Sequence, residues 1–111
     1  MTNKQFYICV GEATSYADRD SYISDLSIST LWEDDESSEI STERIAVLGE
    51  IYEACHRSVR DIVAVSGLTQ RAFAERFCIP LRTVEDWCAG KRECAVYLRL
   101  MMQECLGILH R

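Results

Sequence analysis

The stretch from Leu68 to Arg92, LTQRAFAERFCIPLRTVEDWCAGKR, constrains this chain more than any other. Thr69 offers a hydroxyl to cap a helix start, and Phe73, Ala74 and Phe77 follow on one apolar side. Pro80 suits the opening of a second helix whose Val84 and Trp87 face inward. About three residues separate the two helices. A first helix that braces a second at a steep angle is the arrangement that lets the second enter a DNA major groove.

The flanking segments extend this helical reading. Ile45, Leu48, Tyr52 and Cys55 recur at helical spacing after Ser41, a capping residue by type, with Glu43 in the first turn and Ile51 beside the stripe. This predicts an amphipathic helix ending near His56. Ser58 and Asp61 resemble a capping box before Val59, Ile62, Val63 and Val65, and Gly67 is a stop. A further helix is predicted over Cys94 to Leu109, where Tyr97, Leu98, Met101, Met102, Cys105, Leu106 and Leu109 make a stripe wider than one seam needs. Its excess is either core closure or a surface for a dimer partner. Towards the N-terminus, aromatic and β-branched residues predict an extended segment over Lys4–Val10, and Tyr22, Ile23, Leu26 and Leu31 fit a short helix. The run EDDESSE from Glu33 to Glu39 reads as a solvated connection and a boundary.

Charge divides along the same line. The net charge of −6 at first argues against a nucleic-acid partner. Residues 1–50 hold three basic against eleven acidic residues (−8), and residues 51–111 hold nine against seven (+2). Only the second part offers the local positive charge that phosphates require. No apolar run reaches the roughly 18 residues of a membrane span, and the opening residues lack the regions of a secretory signal, so a cytoplasmic protein is expected. Six cysteines (Cys9, Cys55, Cys78, Cys88, Cys94, Cys105) form no C-x-x-C pair and mostly occupy apolar helix positions. They read as reduced structural thiols, with no metal and no cofactor expected.

These residues carry a resemblance to the Cro/Xre-like family of phage-repressor type. Ala74 sits where that family keeps a small residue, and Phe73, Phe77, Ile79, Val84 and Trp87 match its five buried positions. Leu68-Thr69-Gln70 resembles the opening of its bracing helix, Gly90-Lys91-Arg92 its stop after the recognition helix, and Tyr97, Leu98, Leu100 and Met101 its following helix. The match covers Leu68 to about Leu106. It implies an all-α, lambda-repressor-like helix-turn-helix bundle of about five helices at 41–111, behind an acidic, partly irregular extension at 1–40. Two departures stand out. Cys78 replaces the usual glycine at a turn that favours positive φ, and the outward positions of the recognition helix, Pro80 to Cys88, read as Leu81, Arg82, Glu85 and Asp86.

The resemblance implies a transcriptional regulator that binds double-stranded DNA as a homodimer through Gln70, Leu81, Arg82, Thr83, Glu85, Asp86, Lys91 and Arg92. Arg82 suits guanine O6 and N7, or else pairs with Asp86 at i+4. Leu81 either meets a thymine methyl or packs beneath Pro80. Gln70 fits a phosphate at a helix start, Lys91 and Arg92 the sugar-phosphate backbone, and Glu85 and Asp86 a filter accepting from cytosine N4. Trp87 is expected inside. Adjacent carboxylates on a helix diverge by about 100°, and Cys55-His56 has no third orienting group, so no enzyme is expected. The alternative is an antitoxin-like or inhibitor-like interaction module that meets a basic partner through its acidic half.

Overall fold

The starts of four helices in this chain are fixed by short side chains, of Thr2, Asp18, Ser58 and Thr69, that accept backbone N–H groups. A computed structural model of the chain describes residues 1–29, 32 and 42–110, and all regular structure among them is helical. Seven helices are present there: α1 (Asn3–Ala13), α2 (Arg19–Ser27), α3 (Thr42–His56), α4 (Val59–Ser66), α5 (Gln70–Phe77), α6 (Leu81–Cys88) and α7 (Val96–Cys105). None is long and apolar enough to cross a membrane.

The extended segment expected over Lys4–Val10 is instead the body of α1. Thr2 Oγ1 accepts the Gln5 N–H at 3.0 Å, and Gln5 Oε1 accepts the Thr2 N–H at 2.8 Å. This reciprocal capping box satisfies two otherwise unpaired donors and outweighs the strand preference of the following side chains. Of the residues described in the N-terminal extension, Asn3–Ala13 and Arg19–Ser27 are helical. Ser41 as a cap and the 33–39 run lie outside the described residues.

The chain forms two compact units, 1–56 and 57–110, so the contact boundary follows α3, whereas the charge pattern suggests one near residue 40. In the first unit α1, α2 and α3 pack around Cys9, Ala13, Tyr22, Leu26, Leu48, Ile51, Tyr52, Ala54 and Cys55. Tyr22 donates its hydroxyl to the Cys9 carbonyl at 2.9 Å, and Tyr52 to the Tyr16 carbonyl at 3.1 Å. His56 Nε2 meets the Ala13 carbonyl at 2.9 Å, which requires its proton on Nε2 and occupies one of the acceptors left over at the end of α1. The rings of Tyr16, Tyr22, Tyr52 and His56 follow one another at 5.6, 5.3 and 4.2 Å. Gly49 leaves room on α3 for Arg19, which reaches across it to Glu53 at 3.3 Å. Tyr7, on α1, is 79% exposed and takes no part in this core.

The second unit packs α4, α5, α6 and α7 around Val59, Ile62, Val63, Phe73, Ala74, Val84 and Met102. Val65, read as part of the same apolar face, is exposed. Trp87 is half-buried against this core, so it closes one side rather than filling the centre. The predicted last helix is shorter than Cys94–Leu109: Gly107 adopts φ +73° and the Ile108 N–H turns back to the Gln103 carbonyl at 2.9 Å. Gln103 is fully buried and links α7 to the segment before α4. It accepts from Arg57 Nη1 at 2.6 Å and donates to the Arg99 carbonyl at 3.2 Å, while Arg99 Nη1 donates to the Arg57 carbonyl at 2.6 Å.

Candidate nucleic-acid interface

The turn between α5 and α6 is set by Cys78, at φ +55° and ψ +39°, the one described non-glycine residue with positive φ. Its N–H returns to the Glu75 carbonyl at 3.4 Å and the Ile79 N–H to the Ala74 carbonyl at 2.9 Å, a paired closure that uses two last-turn acceptors of α5. Ile79 packs on the core immediately afterwards, and Pro80 stands at the start of α6. The end of α6 repeats the closure at Gly90, φ +76°, with the Lys91 N–H on the Asp86 carbonyl at 2.9 Å. Backbone geometry at both ends of α6 therefore fixes where its exposed face and the following basic pair lie.

An open cleft of about 580 Å³ runs over this face, lined by Arg60, Gln70, Arg82, Glu85, Asp86, Cys88, Ala89 and Lys91. Five of the eight residues singled out in the sequence line it: Gln70, Arg82, Glu85, Asp86 and Lys91. Arg92 is exposed and outside the lining, and Thr83 is half-buried. Leu81 is half-buried and packs against the core. Thr69 Oγ1 accepts the Ala72 N–H at 3.1 Å, and the N–H groups of Gln70 and Arg71 stand at the helix start, where no intrahelical acceptor exists.

Arg60 is the residue that sequence reasoning misses. It lies in the first turn of α4, where a cation opposes the helix dipole, and that unfavourable placement is the only signal it leaves in the sequence. Burial pushes the Cys88 thiol up from its ordinary range, and the positive charge of Arg60 works against that rise.

Asp86 also departs from expectation. It does not stand outward as its position on the helix suggests: its side chain is only 15% exposed. Arg82 Nε donates to its Oδ1 at 3.4 Å and Arg92 Nε lies 3.9 Å from its Oδ2. Glu85 keeps the exposed position. The cleft thus carries three cations and one exposed carboxylate, with the second carboxylate engaged by arginines. Comparison with family models, curated proteins and solved structures finds no match to this chain, and the chemistry of this cleft is what remains to read its role from.

Proposed function

We propose that the chain is a sequence-specific DNA-binding regulator of the Cro/Xre type, with α5 and α6 as its helix-turn-helix and α6 as the recognition helix. The observation that carries this reading is the convergence of Arg60, Gln70, Arg82 and Lys91 on one open cleft beside two short helices joined by a tight turn. Cations so grouped neutralise phosphates, and a guanidinium at an exposed helix position matches the O6 and N7 acceptors of guanine. Two copies would present α6 to half-sites about 34–36 Å apart, or a multiple of one helical turn. Residues 57–110 hold eight basic against six acidic residues, so the cationic character is local.

Selection of bound duplexes from a random pool, followed by titration against salt, tests the proposal. Arg82→Ala is expected to lose about 1–3 kcal/mol on the preferred duplex with little change on random DNA. Lys91→Ala is expected to weaken binding to every duplex and lower the salt slope by about one. A pool from which no duplex is enriched would reject the reading.

The charge of residues 1–56, three basic against twelve acidic, favours a second role as an interaction module for a basic partner. Failure of duplex selection, with retention of the chain on a cationic protein matrix that salt reverses, would select that alternative.

A further inference from the structure

Asp86 bonds to more of the proposed interface than any other residue in it. Its carboxylate takes Arg82 on one oxygen and faces Arg92 with the other, and its main-chain carbonyl accepts the N–H groups of Lys91 (2.9 Å) and Arg92 (3.4 Å). Arg82, Lys91 and Arg92 are therefore all tied to this one residue, by side chain or backbone. Arg82 engages it only through Nε, and its two terminal nitrogens have no protein partner among the described residues. The Arg82 side chain is 82% exposed, which leaves those nitrogens open to a ligand.

We infer that Asp86 is a positioning residue for base recognition: it holds Arg82 through Nε so that Nη1 and Nη2 are presented together to a guanine, and it anchors the turn that carries Lys91 and Arg92. The inference rests on the DNA-binding reading above. Two physical effects support it. A guanidinium presents donors in a planar fork, and fixing one edge orients the other, whereas a free arginine on a helix reaches any nearby phosphate. The carboxylate also lowers the local positive charge, which weakens sequence-independent attraction without touching a base. The acidic residue that looks like a defect in a recognition helix thus supplies selectivity. Its partner is duplex DNA with guanine at the position under Arg82.

The test compares native protein, Asp86→Asn, Arg82→Ala and the double variant on the selected duplex, on the same duplex with guanine replaced by each other base, and on random duplex across a salt series. Native protein is expected to prefer guanine at one position, and Asp86→Asn to lose about tenfold of that preference while binding random duplex several-fold more tightly at low salt. The double variant should lose no more preference than Arg82→Ala alone. A merely structural role for Asp86 would weaken binding to all duplexes alike and leave the preference intact. An unchanged preference in Asp86→Asn, or in Arg82→Ala, overturns the inference and leaves DNA binding standing. Native protein without any base preference would fail the underlying reading before a variant is made. Should Asp86→Asn not fold, hydrogen exchange at the Arg82 Nε–H of native protein tests the same contact: it is expected to be slower than at Arg71, whose side chain has no such bond, and equal rates overturn the pairing.

Discussion

In residues 1–56 side chains of α2 and α3 reach carbonyls far along the chain, with Tyr22 to Cys9, Tyr52 to Tyr16 and His56 to Ala13, whereas in residues 57–110 helix ends are mostly closed by their own backbone. The first core relies on three tyrosine or histidine side chains that each need a distant carbonyl. The second relies mainly on aliphatic and phenylalanine packing between helices whose turns are pinned by Gly67, Cys78, Gly90 and Gly107, with one long-range polar link between Arg57 and α7. Locally closed helices can be read from a few residues, because cap and stop lie within one turn of what they satisfy. A hydrogen bond to a carbonyl tens of residues away leaves no periodic mark.

The largest expected effect tests whether the two cores are separate. Phe73 is fully buried in the second, and Phe73→Ala should cost about 3–5 kcal/mol there. If the cores melt independently, thermal unfolding of the variant should resolve into two steps, the near-ultraviolet signal of the tyrosine cluster surviving the first. A single transition lowered as a whole would break the comparison, because the two cores would then be one cooperative unit.

Tyr22→Phe tests the first core. It removes a buried hydroxyl that donates to the Cys9 carbonyl, and about 1 kcal/mol of stability should go with it near neutral pH. Burial raises the Tyr22 phenol above its ordinary value, so its folded form holds the proton more tightly than the unfolded form does. That contribution is complete below the unfolded value, about pH 10, and is lost as pH rises towards the folded one. Burial also pushes the Cys9 thiol up to about 11 from 9.0, so the alkaline decline should begin with Cys9, between those values. Urea midpoints from pH 8 to 11 should fall for both proteins, less steeply above pH 10 for Tyr22→Phe, closing the gap between them. Parallel profiles would show that the Tyr22 proton is not linked to folding.

How much was legible follows the same division. Thr69, Pro80, Gly67 and the Phe73–Trp87 spacing predict α5 and α6, and the turn at Cys78 has the positive φ its position suggests. Thr2 and Gln5 were also readable as a capping box, but the aromatic and β-branched content of Lys4–Val10 pointed the other way. In the candidate site, five residues chosen from sequence share a cleft because caps and stops fixed the helix phase. Leu81 and Asp86 were assigned to the outward face by position alone. The half-burial of Leu81 and the approach of Arg92 to Asp86 depend on the turns at either end of α6, which sequence spacing does not measure. Arg60 sits on a separate helix and enters the cleft only through packing.

The smallest expected effect concerns the turns themselves. Of the four described residues with positive φ, three are glycines with nothing within 4 Å of where a Cβ would stand, and the fourth is Cys78. With no clash at the glycines, substitution there measures backbone strain alone. Gly90→Ala should cost about 1 kcal/mol, since the left-handed region disfavours a residue with a Cβ. Cys78→Gly should return a similar amount, about 1 kcal/mol at most, because the exposed thiol contributes little packing and strain is relieved, offset in part by the greater freedom of glycine in the unfolded chain. Equal and opposite shifts in urea midpoint would show that closure of the α5–α6 turn is a property of backbone dihedrals. A loss of stability in Cys78→Gly would show instead that the cysteine side chain contributes to the turn, and would sharpen the contrast between locally closed and distantly tied helices by removing one turn from the first group.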